Sequence, residues 1–201
     1  MTRINTDNAV KTFTVDVLQW RPWLETVDVL RATPAQLAVL EEAPGGLAKV
    51  GPYYALLAHD PQVLRERTRL FNAVMYGRGG LPRPGRELAA VAGSRYNGCT
   101  FCASVHGRLF NDLTKRPDVI QRIFDEGLNT PLEPRERAIV DFSVALTRAP
   151  DALTAAHLAP LRAIGLTDLE ILDLIHAVAM FAWANRLLQT LGQPELARAT
   201  D

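Results

Sequence analysis

Two cysteines, one histidine and one glutamate carry the chemistry that the sequence offers. Cys99 and Cys102 stand three residues apart in Asn97-Gly-Cys-Thr-Phe-Cys-Ala-Ser-Val-His106, and Glu87 lies twelve residues before the first cysteine. On a helix turning about 100° per residue, Cys99, Cys102 and His106 fall within about 60° of one another and form one short edge. Residues three apart on a helix have Cα atoms about 5 Å apart, within the span of a disulfide, so the pair could open and close with little backbone motion. The Asn97-Gly98 break predicts a helix start there. That puts Cys99 in the first turn, where free N–H groups and the helix dipole stabilise a thiolate. Cys102 precedes His106 by four residues, so the imidazole can share its proton. A turn at 96–98 would fold Glu87 back against His106, where a carboxylate orients the ring or passes a proton onward.

The same four side chains admit three readings. One is a redox dithiol with a proton relay. A second is a zinc or iron site, although structural zinc sites usually draw two ligand pairs from separate elements and the chain has only two cysteines. A third is a non-catalytic pair that packs in the core or senses oxidants. Tyr96, just before the turn, and Phe101, inside it, are candidate walls of a substrate pocket or plain packing residues.

The elements that must position these residues all read as helical. Thr33-Pro34 opens a helix at about 34–42, a second covers 50–58, and Asp60-Pro61 starts a third in which Val63, Leu64, Leu70, Phe71 and Val74 recur at helical spacing. Gly77-Arg78-Gly79-Gly80-Leu81-Pro82 breaks the chain. Helical patterns follow at 84–95, 99–113, 117–126, 134–147 and 154–163, and a last one runs from Thr167 to about Leu191. There Thr167 with Glu170 forms a capping box and Gly192 a stop. No segment shows the alternation of a strand. The expectation is an all-α protein of roughly eight helices: a loose N-terminal arm at 1–15 and a single helical domain at 16–201, its core motif at 82–110. Pro84-Gly-Arg-Glu-Leu-Ala89 echoes Pro134-Arg-Glu-Arg-Ala138, which suggests an internal duplication of the helical unit.

Composition narrows the function classes. Of 201 residues 48% are hydrophobic, and 22 Lys plus Arg balance 22 Asp plus Glu. This is not the composition of a disordered chain. It lacks the basic footprint of a nucleic-acid binder and has no net attraction to anionic membranes. Two cysteines exclude a disulfide-rich secreted scaffold. The first residues lack the pattern of a signal peptide. The apolar stretch 171–184, interrupted by Asp173 and His176, reads as too short to span a membrane. The expected compartment is the reducing cytoplasm, with no nucleic-acid or membrane partner.

The spacing Glu87-(eleven residues)-Cys99-Thr-Phe-Cys102-(three residues)-His106 resembles the motif of the alkylhydroperoxidase AhpD-like family, which shares its helical fold with carboxymuconolactone decarboxylases. The strings Asn97–His106, Glu136-Arg-Ala-Ile-Val-Asp-Phe142 and Phe181-Ala-Trp-Ala-Asn-Arg186 are similar to its branch of uncharacterised peroxidase-related proteins, over about 20–194. The resemblance implies an AhpD-like helical bundle, a homo-oligomer, and reduction of a hydroperoxide without a bound cofactor or metal. In the family's scheme Cys102 would attack the O–O bond and become a sulfenic acid, Cys99 would close the disulfide, and His106 and Glu87 would relay the proton. A thiol or dithiol donor would then reduce the pair. The helix-dipole reading favours Cys99 as the lower-pKa thiol; the two are compatible if an exposed Cys99 also meets the external reductant, and Cys102, next to His106, is assigned as the peroxidatic residue. One departure stands out: the best-known AhpD proteins have a histidine between the cysteines, where this chain has Thr100-Phe101. Decarboxylase members of the fold lack the dithiol, so decarboxylation is not expected.

Other residues read as structural. Arg78, Arg83 and Arg86 look like a solvated basic loop, with an anion-docking role as the alternative. His176 looks like a core histidine. Asn185 is expected to bond backbone groups, and Trp183 to pack. Trp20-Arg21-Pro22-Trp23 looks like an anchor for the N-terminal arm.

Overall fold

The computed structural model describes residues 9–197. Among these, nine α-helices form a bundle around one of their number: α1 (Pro34–Glu41), α2 (Pro52–Leu57), α3 (Pro61–Tyr76), α4 (Arg83–Tyr96), α5 (Thr100–Thr114), α6 (Pro117–Asp125), α7 (Pro134–Arg148), α8 (Ala159–Ala163) and α9 (Asp168–Leu191). The starts follow local chemistry. Thr33 and Thr167 form capping boxes with Gln36 and Glu170, and the Asp60 carboxylate accepts from the Val63 amide at 3.1 Å. These contacts satisfy amides that a helix N-terminus leaves free. The span expected as a helix at 154–163 is a 3-10 turn at Ala155–Leu158 running into the short α8.

Helix α4 is the centre of the bundle and packs against α5, α7 and α9. Every residue from Arg86 to Ser94 is buried, so it shows no polar face to solvent. Three of its neighbours in space supply the apolar wall: Phe110 on α5, Ile139 and Val140 on α7, and Leu174, Val178 and Phe181 on α9. The sequence echo at 84–89 and 134–138 falls at the starts of α4 and α7, which pack against each other. Helix α9 has 24 residues, longer than the apolar stretch 171–184 it contains, and by length and composition alone could cross a membrane, a test that the core helix of a soluble protein also passes. In this fold it lies against α4, α7 and α3.

Four expectations are corrected. First, the fold contains strands: β1 (Leu18–Pro22) pairs antiparallel with β2 (Gly192–Leu196), Leu18 opposite Leu196 and Pro22 opposite Gly192. Each strand carries a proline, and the alternation of Leu18-Gln19-Trp20-Arg21 is too short to stand out, so the tertiary pairing of two distant segments reveals them. Second, residues 1–8 of the expected loose arm lie outside the described residues, while 9–15 are docked. The Val10 amide donates to the Pro194 carbonyl at 2.8 Å, the Thr100 hydroxyl donates to the Val10 carbonyl at 2.9 Å, and Phe13 sits 4.2 Å under the Arg95 guanidinium. Third, His176 is exposed rather than buried. Fourth, Arg86 is not solvated. It is buried and donates to the carbonyls of Val74, Gly77 and Gly79 and to Asp173 at 2.7 Å, so it ties the glycine loop to α9.

The tryptophans anchor the ribbon. Trp20 Nε1 donates to the Leu188 carbonyl at 3.0 Å, and Trp23 Nε1 donates to Gln193 Oε1 at 3.3 Å. The Trp20 ring lies so close to Gly192 that a Cβ there would come 2.4 Å from Trp20 Cζ2 and 2.5 Å from the Arg21 carbonyl oxygen. Overpacking of this kind usually costs 1–3 kcal/mol. Gly192→Ala is therefore expected to lower unfolding stability by about 2 kcal/mol, read as a reduced urea midpoint at unchanged slope. An unshifted midpoint would show that the ribbon gives way freely.

Candidate functional site

Helices α4 and α5 form a hairpin whose turn is Asn97-Gly98-Cys99. Gly98 adopts φ 75, a left-handed conformation that residues with a Cβ rarely take. Cys99 is the N-cap residue of α5, one position earlier than the predicted first turn. The hairpin packs Glu87 of α4 against His106 of α5, as the spacing suggested. Glu87 is 0% exposed. His106 Nδ1 donates to its Oε2 at 2.6 Å and Arg83 Nε donates to its Oε1 at 3.0 Å. The Arg83 guanidinium lies 4.5 Å from the Tyr76 ring, and the His106 ring meets the edge of Phe181 at 4.4 Å. With Nδ1 committed to the carboxylate, Nε2 is the nitrogen left for chemistry.

Both cysteines are free thiols and both are buried. Cys102 donates its thiol hydrogen and its backbone N–H to the Cys99 sulfur. This thiol donation is the largest influence holding Cys99 below its ordinary pKa, against the opposing effect of burial. Cys102 is pushed well up by the same bond, since losing its proton breaks it, and then by burial. Cys99 is therefore the more acidic of the two thiols, as the helix-start argument favoured. Asn185, expected to bond backbone groups, is instead a side-chain partner of the pair. Its amide donates towards both thiols and lowers both. It is fixed by Asn97 Nδ2, which donates to its Oδ1 at 3.0 Å, and by its own donation to Ser94 Oγ at 3.1 Å.

The two thiols line different cavities. Cys102 and His106 share one of about 280 Å³ with Tyr53, Tyr54, Arg67, Phe71 and Phe181. Cys99 lines one of about 260 Å³ with Trp20, Trp23, Lys11 and Gln193. Phe101 lines both. Tyr96 is 42% exposed and lines neither. At the last position of α4 it points away from the dithiol, and it is no part of either cavity wall. Among the described residues no group of three or more His, Cys, Asp and Glu could hold a metal ion.

The sequence did not single out Arg67, Tyr53 or Tyr54. Arg67 did leave a signal: it falls on the face of α3 marked by Leu64, Phe71 and Val74, where a charged residue is out of place.

Residues 61–125, from α3 to the end of α6, match the carboxymuconolactone decarboxylase family. The fold is similar to the AhpD core of an uncharacterised peroxidase-related protein from Ralstonia eutropha JMP134, with TM-score 0.75 and 26% identity over 85% of this chain and 90% of that one. A second such protein, from Silicibacter sp. TM1040, gives 0.70 and 26% over 87% and 94%. The chain has an AhpD-like fold, and its segment 61–125 resembles the carboxymuconolactone decarboxylase family. It also shares its fold with the debrominase Bmp8 in complex with 2,3,4-tribromopyrrole, at TM-score 0.70 and 16% identity over 89% and 94%. Among curated proteins none matches the chain. In this AhpD-like chain the dithiol, the histidine and the carboxylate all lie inside the matched segment.

The asymmetry of the thiols is testable. Thiolate absorbance near 240 nm is expected to rise, as pH increases, at a pH below that of an ordinary cysteine, with Cys99 as the group titrating. Cys102→Ala removes the donor and is expected to move that transition upward. A transition that stays in place in Cys102→Ala would show that the helix terminus and Asn185, not Cys102, hold the thiolate.

Proposed function

We propose that the chain reduces a small hydroperoxide through its dithiol, and that Cys102 is the residue that meets the substrate. The observation that carries this reading is the shared cavity: Cys102 and His106 line the same space, and Glu87 holds the imidazole by its other nitrogen. The resemblance to peroxidase-related proteins supports it.

The order of events follows from where the protons sit. Cys102 passes its proton to His106 Nε2, and the Glu87 carboxylate stabilises the imidazolium. The Cys102 thiolate then attacks the terminal oxygen of the hydroperoxide. An S–O bond forms, the O–O bond breaks, and the alkoxide leaves with the proton from His106. Cys102 is now a sulfenic acid. The Cys99 thiolate attacks it, the S–S bond forms, and hydroxide departs to become water. The hydroperoxide has gained two electrons and the dithiol has lost two. An external thiol or dithiol restores the pair, and the cavity on the Cys99 side gives it a place to approach. Such a donor suits a reducing, cytoplasmic setting.

The aromatic walls of the Cys102 cavity favour a second reading, reductive dehalogenation of a small ring, by analogy with the debrominase that shares the fold. Its balance is the same in kind: an aryl bromide and two thiols give the reduced ring, a disulfide and hydrogen bromide.

One equivalent of alkyl hydroperoxide is expected to consume both thiols of the wild-type protein and yield a Cys99–Cys102 disulfide by non-reducing mass spectrometry. Cys99→Ser should stop at a sulfenic acid that dimedone traps on Cys102, and Cys102→Ser should give no adduct and no turnover. An adduct on Cys99 in Cys102→Ser, formed at the wild-type rate, would reverse the assignment. Thiols that survive the peroxide would remove the peroxidase reading. Consumption by a bromopyrrole with release of bromide would favour the second one.

A further inference from the structure

We propose that Arg67 and Tyr53 form an anion-binding corner of the Cys102 cavity, and that the substrate is a small apolar molecule carrying a carboxylate or a similar anionic group. The assignment deepens the reading above, since it takes this cavity to be where substrate binds.

Arg67 is only 6% exposed and lines the cavity together with Cys102 and His106. A guanidinium out of water normally demands a carboxylate. Its charged neighbours on α3 have one: Arg65 pairs with Glu42 at 3.3 Å and Arg69 with Glu66 at 3.5 Å. Among the described residues no carboxylate pairs with Arg67. Glu87, the buried acid nearest the dithiol, is already bonded to Arg83 and His106. Arg67 instead sits in a cage of rings, 4.5 Å from Phe71, 5.3 Å from Tyr54 and 5.7 Å from Tyr53. The cage favours a cation but supplies no countercharge. Nη1 donates to the Tyr54 hydroxyl at 3.1 Å, and Nε has no acceptor at all.

The Tyr53 hydroxyl beside it is also buried with no hydrogen-bond partner. Burial holds this phenol in its protonated form, so it remains a donor. Two unmet polar groups thus border one apolar cavity, and one carries a full positive charge. An arginine fork and a phenol match the oxygens of a carboxylate, while the remaining wall is aromatic. A volume of about 280 Å³ is roughly nine waters' worth of space, which suits a single ring or a short chain. The Arg67 charge also reaches Cys102, whose thiolate it favours, so an anion held at Arg67 lies close to the reacting sulfur.

Benzoate and its neutral isostere benzamide test this directly, titrated by calorimetry into the reduced protein and used as protectants of Cys102 against iodoacetamide. Benzoate is expected to bind about tenfold or more tightly than benzamide, as a charge-assisted bond implies. Arg67→Gln should abolish the difference, Arg67→Lys should keep part of it, and Tyr53→Phe should reduce it. Equal binding of acid and amide, or discrimination that persists in Arg67→Gln, would overturn the proposal. So would a failure of benzoate to slow alkylation. If Arg67→Gln does not fold, the wild-type comparison and Tyr53→Phe decide the matter. Because no peroxide is present, the two readings separate. Discrimination in a protein whose thiols ignore peroxide keeps the anion corner and removes the peroxidase, and turnover without discrimination does the reverse.

Discussion

A carboxylate with no exposure to water sits at the join of the two helices that carry the dithiol. Glu87 can hold its charge there only because Arg83 and His106 both donate to it. Breaking such a buried arrangement leaves a charge unpaired and typically costs 3–5 kcal/mol, so α4 and α5 are bound to one relative position. That position sets the rest of the site. It fixes the imidazole by Nδ1, turns Nε2 towards chemistry, and aligns the turn at Gly98 so that Cys99 caps α5 with Cys102 one turn behind it. Arg86, next to Glu87 in sequence, locks the other side of α4 to the glycine loop and to Asp173. Two adjacent charged residues inside this buried helix, about 100° apart around it, therefore anchor it to different neighbours.

Most of the framework was legible because it depends on local signals. Capping boxes, N-terminal prolines and glycine stops mark helix ends within a few residues, and the dithiol with its histidine and distant glutamate has a spacing that only one hairpin geometry satisfies. What was not legible depends on partners far apart in sequence. The β1–β2 ribbon joins residues 18–22 to 192–196 through a close approach of Trp20 to Gly192 that neither segment announces. Arg86 reads as a surface arginine because its carbonyl partners lie in a loop whose path is set only when α9 packs. Asn185 lies about ninety positions from the thiols it touches, and only the crossing of α9 over the α4–α5 turn brings it there. Tyr96 illustrates the opposite error, since nearness in sequence to the cysteines does not place a side chain in their cavity when it ends the helix on the outer side.

The two thiols differ in state as well as in surroundings. Cys99 is the more acidic thiol and faces the Trp20 cavity; Cys102 is the less acidic and faces the aromatic cavity with His106. A peroxidase that attacked with its most acidic thiol would use Cys99, yet no imidazole lines that cavity to protonate a departing alkoxide. In the proposed order the asymmetry serves the second step. The attacking thiol is activated only when His106 accepts its proton, and that same proton then goes to the leaving group. The resolving thiol is the more acidic of the two and ionises more readily when the sulfenic acid appears. A sulfenic acid that persists in peroxide advances to forms that thiols do not reverse, and a thiolate one helical turn away closes the disulfide before a second oxidant arrives. The absence of a histidine between the cysteines fits this division, because a resolving cysteine made more acidic by Cys102 and Asn185 relies less on a base of its own.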